Sequence, residues 1–202
     1  MFVLGIAGGS GSGKSTFVAV LKAKLGGRVA HLPHDAYYRN RGDMPPAVRE
    51  APNWDHPEAL ETELYLQHLD ELKAGRAIDV PEYDFDHHAR KPESRRLEPA
   101  PAILVEGILV LAVPAIRERL DLKLFIDTPA DLRLLRRFQR DAAERGRSSE
   151  SILEQYLATV RPMHAEYVEP SRAFADLIVP WETRNFVAVE LAAEELRRRS
   201  SM

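Results

Sequence analysis

Apolar and polar positions change rhythm along this chain, and the changes mark out its elements. Phe2 to Ala7 is a nearly continuous apolar run, the pattern of a strand buried on both faces. From Ser15 to Leu25 the period lengthens to that of a helix, with Phe17, Val18, Val20, Leu21 and Leu25 on the apolar side. Val29–Pro33 predicts a short second strand, Ala100–Val105 and Leu122–Ile126 two more, and Leu177–Val179 a last short one. Further helices are predicted over Pro57–Ala74, Pro129–Glu144, Ser148 to about Ala173, and Phe186–Arg199. Pro57 suits a first helical position, where its missing N–H costs nothing. Strands alternating with helical segments predict the α/β class, a parallel sheet flanked by helices.

Two stretches break the rhythm. Asn40–Pro52 is rich in proline, glycine and charge and predicts a surface loop. Val80–Leu97 is aromatic, histidine-rich and charged, and reads as a small β-hairpin outside the main sheet. Arg197, Arg198 and Arg199 read as a solvated helix end. With 202 residues, 45% of them hydrophobic, the chain can bury one sizeable core. The net charge of −3 gives no reason to expect a nucleic-acid or membrane partner drawn in by bulk charge. Cysteine is absent, which excludes disulfides, thiolate metal sites and thiol nucleophiles. No export leader or membrane span is expected, so the expected location is the cytoplasm.

The chemistry begins at Gly8-Gly9-Ser10-Gly11-Ser12-Gly13-Lys14-Ser15, which fits G-x-x-x-x-G-K-[ST] between a predicted strand and a predicted helix. Glycines let successive backbone N–H groups turn toward phosphate oxygens, and the helix N-terminus adds its positive end. Lys14 would reach the outer phosphates and the Ser15 hydroxyl would face Mg²⁺, with Thr16 closing the segment. The motif is that of a P-loop NTPase. It does not separate kinase from GTPase, motor or sensor. No Asn-Lys-x-Asp guanine reader occurs, and the apolar strand ends in Val105-Glu106-Gly107 rather than Asp-Glu.

Carboxylates at the C-terminal ends of strands lie beside the crevice where α/β sheets bind ligands. Glu106 is so placed and is a candidate for Mg²⁺; the alternative is a simple turn residue. Asp35, just after the second strand, is a candidate base for an acceptor hydroxyl; the alternative is an Asx turn. Arg133, Arg137 and Arg140 recur on one helical face, followed by Arg145 and Arg147 around Gly146. They read as a cationic lid over a nucleotide or as a salt-bridged surface helix, the latter supported by Asp141 four residues before Arg145.

Together these segments resemble the uridine kinase (uridine–cytidine kinase) family. The resemblance rests on Gly8–Thr16, His34–Tyr38, Asn53–Pro57, Pro81–Arg90, Val105–Leu109, Arg136-Arg137 through Arg140-Asp141, Glu144–Arg147, Gln155-Tyr156 and Arg161-Pro162, in order across nearly the whole chain. It implies one nucleoside/nucleotide kinase-like P-loop domain over residues 1–202. Within it, 80–97 would be a nucleoside-binding hairpin insertion and 137–150 a helical lid. It implies ATP as phosphoryl donor, Mg²⁺ at Ser15 and Glu106, and uridine or cytidine as acceptor. Asp35 would be the catalytic base, and Arg140 and Arg145 would join Lys14 in stabilising the transferring phosphoryl group. Asp55 and Arg137 would hold the ribose hydroxyls, with Tyr38 nearby. Trp54, Tyr83 and Phe85 would enclose the base; His88 and Tyr83 would meet its 4-substituent, and Arg147 and Gln155 its other polar edge. A small-molecule partner and a homotetramer are implied, without nucleic acid or membrane.

These assignments keep their alternatives. Asp55 could merely help start the helix at Pro57, and the hairpin aromatics could be packing. Strict alternation puts Tyr83 and Phe85 on one face and His88 on the other unless a turn intervenes. The chain departs from the family at Trp181-Glu182-Thr183-Arg184-Asn185, where Arg-Gly and another small residue usually precede the Asn, and this puts donor preference and local geometry there in doubt. A sugar-phosphate or pantothenate kinase, or a nucleotide-binding regulatory module, are the competing readings.

Overall fold

A computed structural model describes residues 1–45 and 53–200. Of the predicted loop Asn40–Pro52, residues 46–52 lie outside the described residues. Five strands form one parallel sheet: β1 (Phe2–Ala7), β2 (Val29–Pro33), β5 (Ala102–Glu106), β6 (Leu122–Asp127) and β7 (Leu177–Pro180), in the order β2-β5-β1-β6-β7. A separate antiparallel hairpin joins β3 (Ile78–Asp84) to β4 (Ala89–Leu97). The predicted strands and hairpin are thus present, with ends shifted by up to two residues.

Alternate strand residues feed two cores, one on each face. Val3, Ile103, Val105 and Phe125 face Tyr37, Tyr65 and Leu69, where Tyr65 and Leu69 belong to α2 (Thr62–Lys73). Leu4, Ile6, Leu104, Leu124 and Ile126 face Phe17 and Leu21 of α1 (Lys14–Lys24) and the closing helix Phe186–Ser200. Burial on both sides explains the near-continuous apolar runs of β1 and β5, while the flanking β2 and β6 carry His31 and Lys123. β1 is flanked by β5 and β6 while its own chain crosses past β5 to β2, so the crevice at its C-terminal end opens at a switch point of the sheet.

One predicted helix is two pieces. Pro57–Ala59 forms a single 3₁₀ turn, and α2 starts only at Thr62. Between them Leu60 is extended, because it pairs as an isolated antiparallel bridge with Tyr38. Arg39 N–H donates to Ala59 O at 2.9 Å and Glu61 N–H to Tyr37 O at 2.8 Å, fixing that bridge. A short helix, α3 (Pro114–Arg117), leads into β6. The predicted helix at Pro129 begins at Ala130 and runs to Glu144 as α4. α5 (Ser149–Gln155) follows, capped by the Ser148 hydroxyl, which accepts from Ser151 N–H. It continues helically to Phe174 through two π-type segments, Tyr156–Val160 and His164–Val168. Each ends two residues before a proline, Pro162 or Pro170; the wider turn accommodates a ring that would clash with an α-helical carbonyl and a nitrogen that cannot donate.

Candidate functional site

The glycine-rich segment runs from the end of β1 into α1, as its motif requires. Gly13 has φ 94°, a left-handed conformation that a side chain would strain. A Cβ there would lie 2.5 Å from the indole of Trp181. Trp181 is buried, meets Phe17 edge-to-face at 5.3 Å, and so forms the floor beneath the cradle. Its carbonyl and that of Glu182 accept from Arg136, at 3.2 and 2.7 Å. Trp181 thus packs directly against the glycine-rich loop.

Lys14 is buried and donates to Gly9 O at 3.1 Å. Burial lowers its pKa, while Glu106 and Asp35 act in the opposite sense. The Ser15 hydroxyl donates to Glu106 Oε1 at 3.3 Å, and His31 Nε2 stands 3.5 Å from Glu106 Oε2. Burial tends to raise the Glu106 pKa, but His31, Lys14 and Ser15 outweigh it and hold the carboxyl below its usual range. One hydroxyl and one ionised carboxylate form a hard oxygen donor set, too few for an all-protein cage. That suits Mg²⁺, which keeps waters and substrate phosphates as its other ligands.

Asp35 sits in the 3₁₀ turn His34–Tyr37 directly after β2. Burial pushes its carboxyl up to about 6; the Glu106 charge adds to this, and Lys14, Arg140 and Arg145 oppose it. Asp35 Oδ1 is enclosed without a hydrogen-bond partner. The adjacent His34 is fully buried against Tyr65 at 4.7 Å, and burial lowers its pKa to about 3, so it stays neutral.

Two cavities meet at Asp35. One is lined by the cradle residues Ser10, Gly11, Gly13, Lys14, Ser15 and Thr16, with Glu106 and Arg140. The other is lined by Tyr38, Trp54, Asp55, Tyr83, Phe85, His88, Arg137, Arg145, Arg147 and Gln155. Ser10, Asp35, Ile108 and Arg140 belong to both walls.

The second cavity is an aromatic box with a polar rim. Tyr38 lies 5.6 Å from Trp54 and 5.1 Å from Tyr83, and Tyr83 lies 5.2 Å from Phe85. His88 stacks on Trp54 at 4.7 Å with planes 9° apart. Strict alternation would send His88 to the far face, but the hairpin turn reverses it. Asp84 Oδ1 accepts from the N–H groups of Asp86 and His87, and His88 itself adopts φ 49°. Gln155 Oε1 accepts from both Arg137 (2.7 Å) and Arg147 (2.8 Å), and Arg137 also donates to Ser10 Oγ at 2.9 Å. Arg147 reaches His88 Nε2 at 3.4 Å, and Arg145 lies 4.7 Å over the Phe85 ring. Asp55 is buried and accepts from the Thr159 hydroxyl at 3.4 Å. Burial raises its pKa against the opposing charge of Arg137.

Of the residues given catalytic, binding or metal roles from the sequence, all except Gly8, Gly9 and Ser12 line one cavity or the other. Ser12 is buried behind the cradle, its carbonyl accepting from Thr128 Oγ1 at 3.0 Å. Two readings need correcting. Arg133 does not share the lid: it donates to Thr128 O and contacts His164. Asp141 is no surface partner, being wholly buried among Arg137, Arg140 and Arg145. Thr159 was missed, since it belongs to no motif; Ile108 and Asp141 fall within the Val105–Leu109 and Arg140-Asp141 segments but were given no role at the site.

The chain has clear relatives. A family model described as "Phosphoribulokinase / Uridine kinase family" matches residues 3–188. A uridine kinase of Chloroflexus aggregans is 49% identical over 195 residues, covering 96% of this chain and 93% of its own. One from Streptococcus equi subsp. zooepidemicus is 45% identical over 190 residues, covering 94% and 91%. Among solved structures, the phosphoribulokinase from Rhodobacter spheroides superposes with a TM-score of 0.67 at 18% identity, over 89% of this chain and 69% of that one, a likeness of fold alone. Among the described residues, no helix is long and apolar enough to cross a membrane.

Proposed function

The chain belongs to the phosphoribulokinase/uridine kinase family, and from that premise we propose that it transfers the γ-phosphoryl group of MgATP to the 5′-hydroxyl of uridine or cytidine. The products are ADP and the nucleoside 5′-monophosphate, as in salvage of pyrimidine nucleosides. One observation carries this reading: the carboxylate of Asp35 stands in the common wall of a phosphate cradle and an aromatic box.

The triphosphate lies along the cradle amides with Lys14 at its outer phosphates. Ser15 and Glu106 would hold Mg²⁺, which when bound neutralises phosphate charge. The nucleoside enters the box, its base among Trp54, Tyr83, Phe85 and His88, with Arg147 and Gln155 at its polar edge. Asp55 and Arg137 take the ribose hydroxyls beside Tyr38. Asp35 accepts the 5′-hydroxyl proton as oxygen attacks phosphorus in line, and no covalent enzyme intermediate forms. Arg140 and Arg145 face the charge spreading over the transferring oxygens. Positioning and charge stabilisation supply most of the rate.

Residues 1–202 act on this reading as one catalytic unit, with 80–97 as the acceptor hairpin and 137–150 as the lid, in the cytoplasm. The exposed apolar strip of Leu177, Ile178, Val187 and Leu191 supports self-association, consistent with the tetramer that the resemblance implies. The test is a coupled assay of ADP formation with MgATP and each ribonucleoside, deoxyribonucleoside or sugar phosphate. Uridine- or cytidine-dependent ADP release is expected. Release with a sugar phosphate alone, or with no acceptor offered, would refute the proposal.

A further inference from the structure

Three arginines of the acceptor cavity, Arg137, Arg140 and Arg145, converge on one side chain that reaches neither cavity. Asp141 lies on α4 with none of its surface exposed. Its Oδ1 accepts from Arg140 Nε at 2.9 Å and Nη2 at 2.8 Å, and stands 3.4 Å from Arg145 Nη1. Its Oδ2 stands 3.4 Å from Arg137 Nε. The helix ends at Glu144, and Gly146, at φ 58°, turns the chain back so that Arg147 N–H donates to Asp141 O at 3.2 Å. One residue thus hydrogen-bonds the Arg140 guanidinium, stands at ion-pair distance from those of Arg137 and Arg145, and holds Arg147 by its backbone carbonyl.

A buried carboxylate is tolerated only when paired, and like-charged guanidinium groups so close would otherwise splay apart. We infer that Asp141 is a positioning residue: it holds the Arg140 and Arg145 guanidinium groups at the junction of the two cavities before substrate arrives. It does not touch the reacting atoms and acts through its arginines. The helix periodicity that brings Arg137 (i−4), Arg140 (i−1) and Arg145 (i+4) around it makes this arrangement local and pre-formed. Pre-formed donors stabilise developing charge without reorganising during the reaction, and a small misplacement is costly in rate.

This inference rests on the nucleoside-kinase reading, and the experiment separates the two. Steady-state kinetics with uridine and MgATP would be measured for the wild type, Asp141→Asn, Arg145→Ala and the double variant. MgADP affinity and stoichiometry, determined by calorimetry, would count folded sites. Asp141→Asn should lower kcat per folded site by about 10- to 100-fold, with MgADP affinity changed by less than about threefold. In the Arg145→Ala background the same change should cost several-fold less than in the wild type, because part of its effect runs through Arg145. A purely structural role would lower the number of folded sites and leave kcat per site intact, overturning the inference; so would effects that multiply independently. Should Asp141→Asn not fold, Asp141→Glu keeps the charge but displaces it, and an unchanged kcat there overturns the inference equally. A wild type inactive with every nucleoside would instead sink the functional reading, and this one with it.

Discussion

Replacing Asp35 by asparagine should make the protein more stable and almost inactive at once. The carboxyl is held at about 6 against an ordinary 3.8, chiefly because burial penalises its charge. That gap corresponds to about 3 kcal/mol of strain carried by the ionised form in the folded protein. Coupling to Glu106 and partial access to solvent reduce this to roughly 1–2 kcal/mol. The sign follows from the direction: with the folded pKa raised, the favourable contribution of the protonated group is complete below about 3.8 and lost as pH rises through about 6. Asp35→Asn should therefore melt roughly 2–8 °C higher at pH 8 for a chain of this size. At pH 5 the gain should be about half as large. The same variant loses its base, so kcat should fall by about 10²–10⁴ while MgADP binding persists. The wild-type kcat/KM should fall away on an acid limb centred near pH 6. Differential scanning calorimetry at the two pH values and a pH–rate profile provide the check. A variant less stable than the wild type at pH 8, or one retaining turnover within tenfold, would refute the account of Asp35 as a strained, working carboxylate.

Other expectations concern the two cavities separately. 2′-Deoxyuridine should show kcat/KM at least about 10²-fold below uridine, because it leaves the buried Asp55 acceptor unmatched. Asp55→Ala should shrink that ratio below tenfold in competition assays, and an unchanged ratio would remove Asp55 from ribose recognition. Gly13→Ala should cost about 2 kcal/mol or more in urea unfolding and weaken MgADP binding, since its Cβ would meet Trp181 at 2.5 Å in a left-handed backbone; a loss under 0.5 kcal/mol would contradict the close contact.

The phosphate cradle was legible because its chemistry is carried by consecutive backbone groups, so spacing alone conveys geometry. The central strands β1 and β5 were legible because burial on both faces leaves almost no polar interruption. The failures came from contacts that counting periods does not include. Leu60 breaks the helix predicted from Pro57 because Tyr38, far away in sequence, draws it into an extended bridge. His88 returns to the box because Asp84 organises a turn that period-two counting does not include. Asp141 looked like half of an ordinary surface pair, since a charged residue on a polar helix face looks the same exposed or buried.

The division of labour around Asp35 has an evolutionary corollary. On the proposed reading the side chains that would meet the base, Trp54, Tyr83, Phe85 and His88, all sit outside the shared partition, three of them on a ribbon that is no part of the central sheet. Rewriting that ribbon could change which alcohol is admitted while the machinery that handles the triphosphate stays untouched. Residues in the partition have no such freedom, because altering any of them disturbs both tenants together.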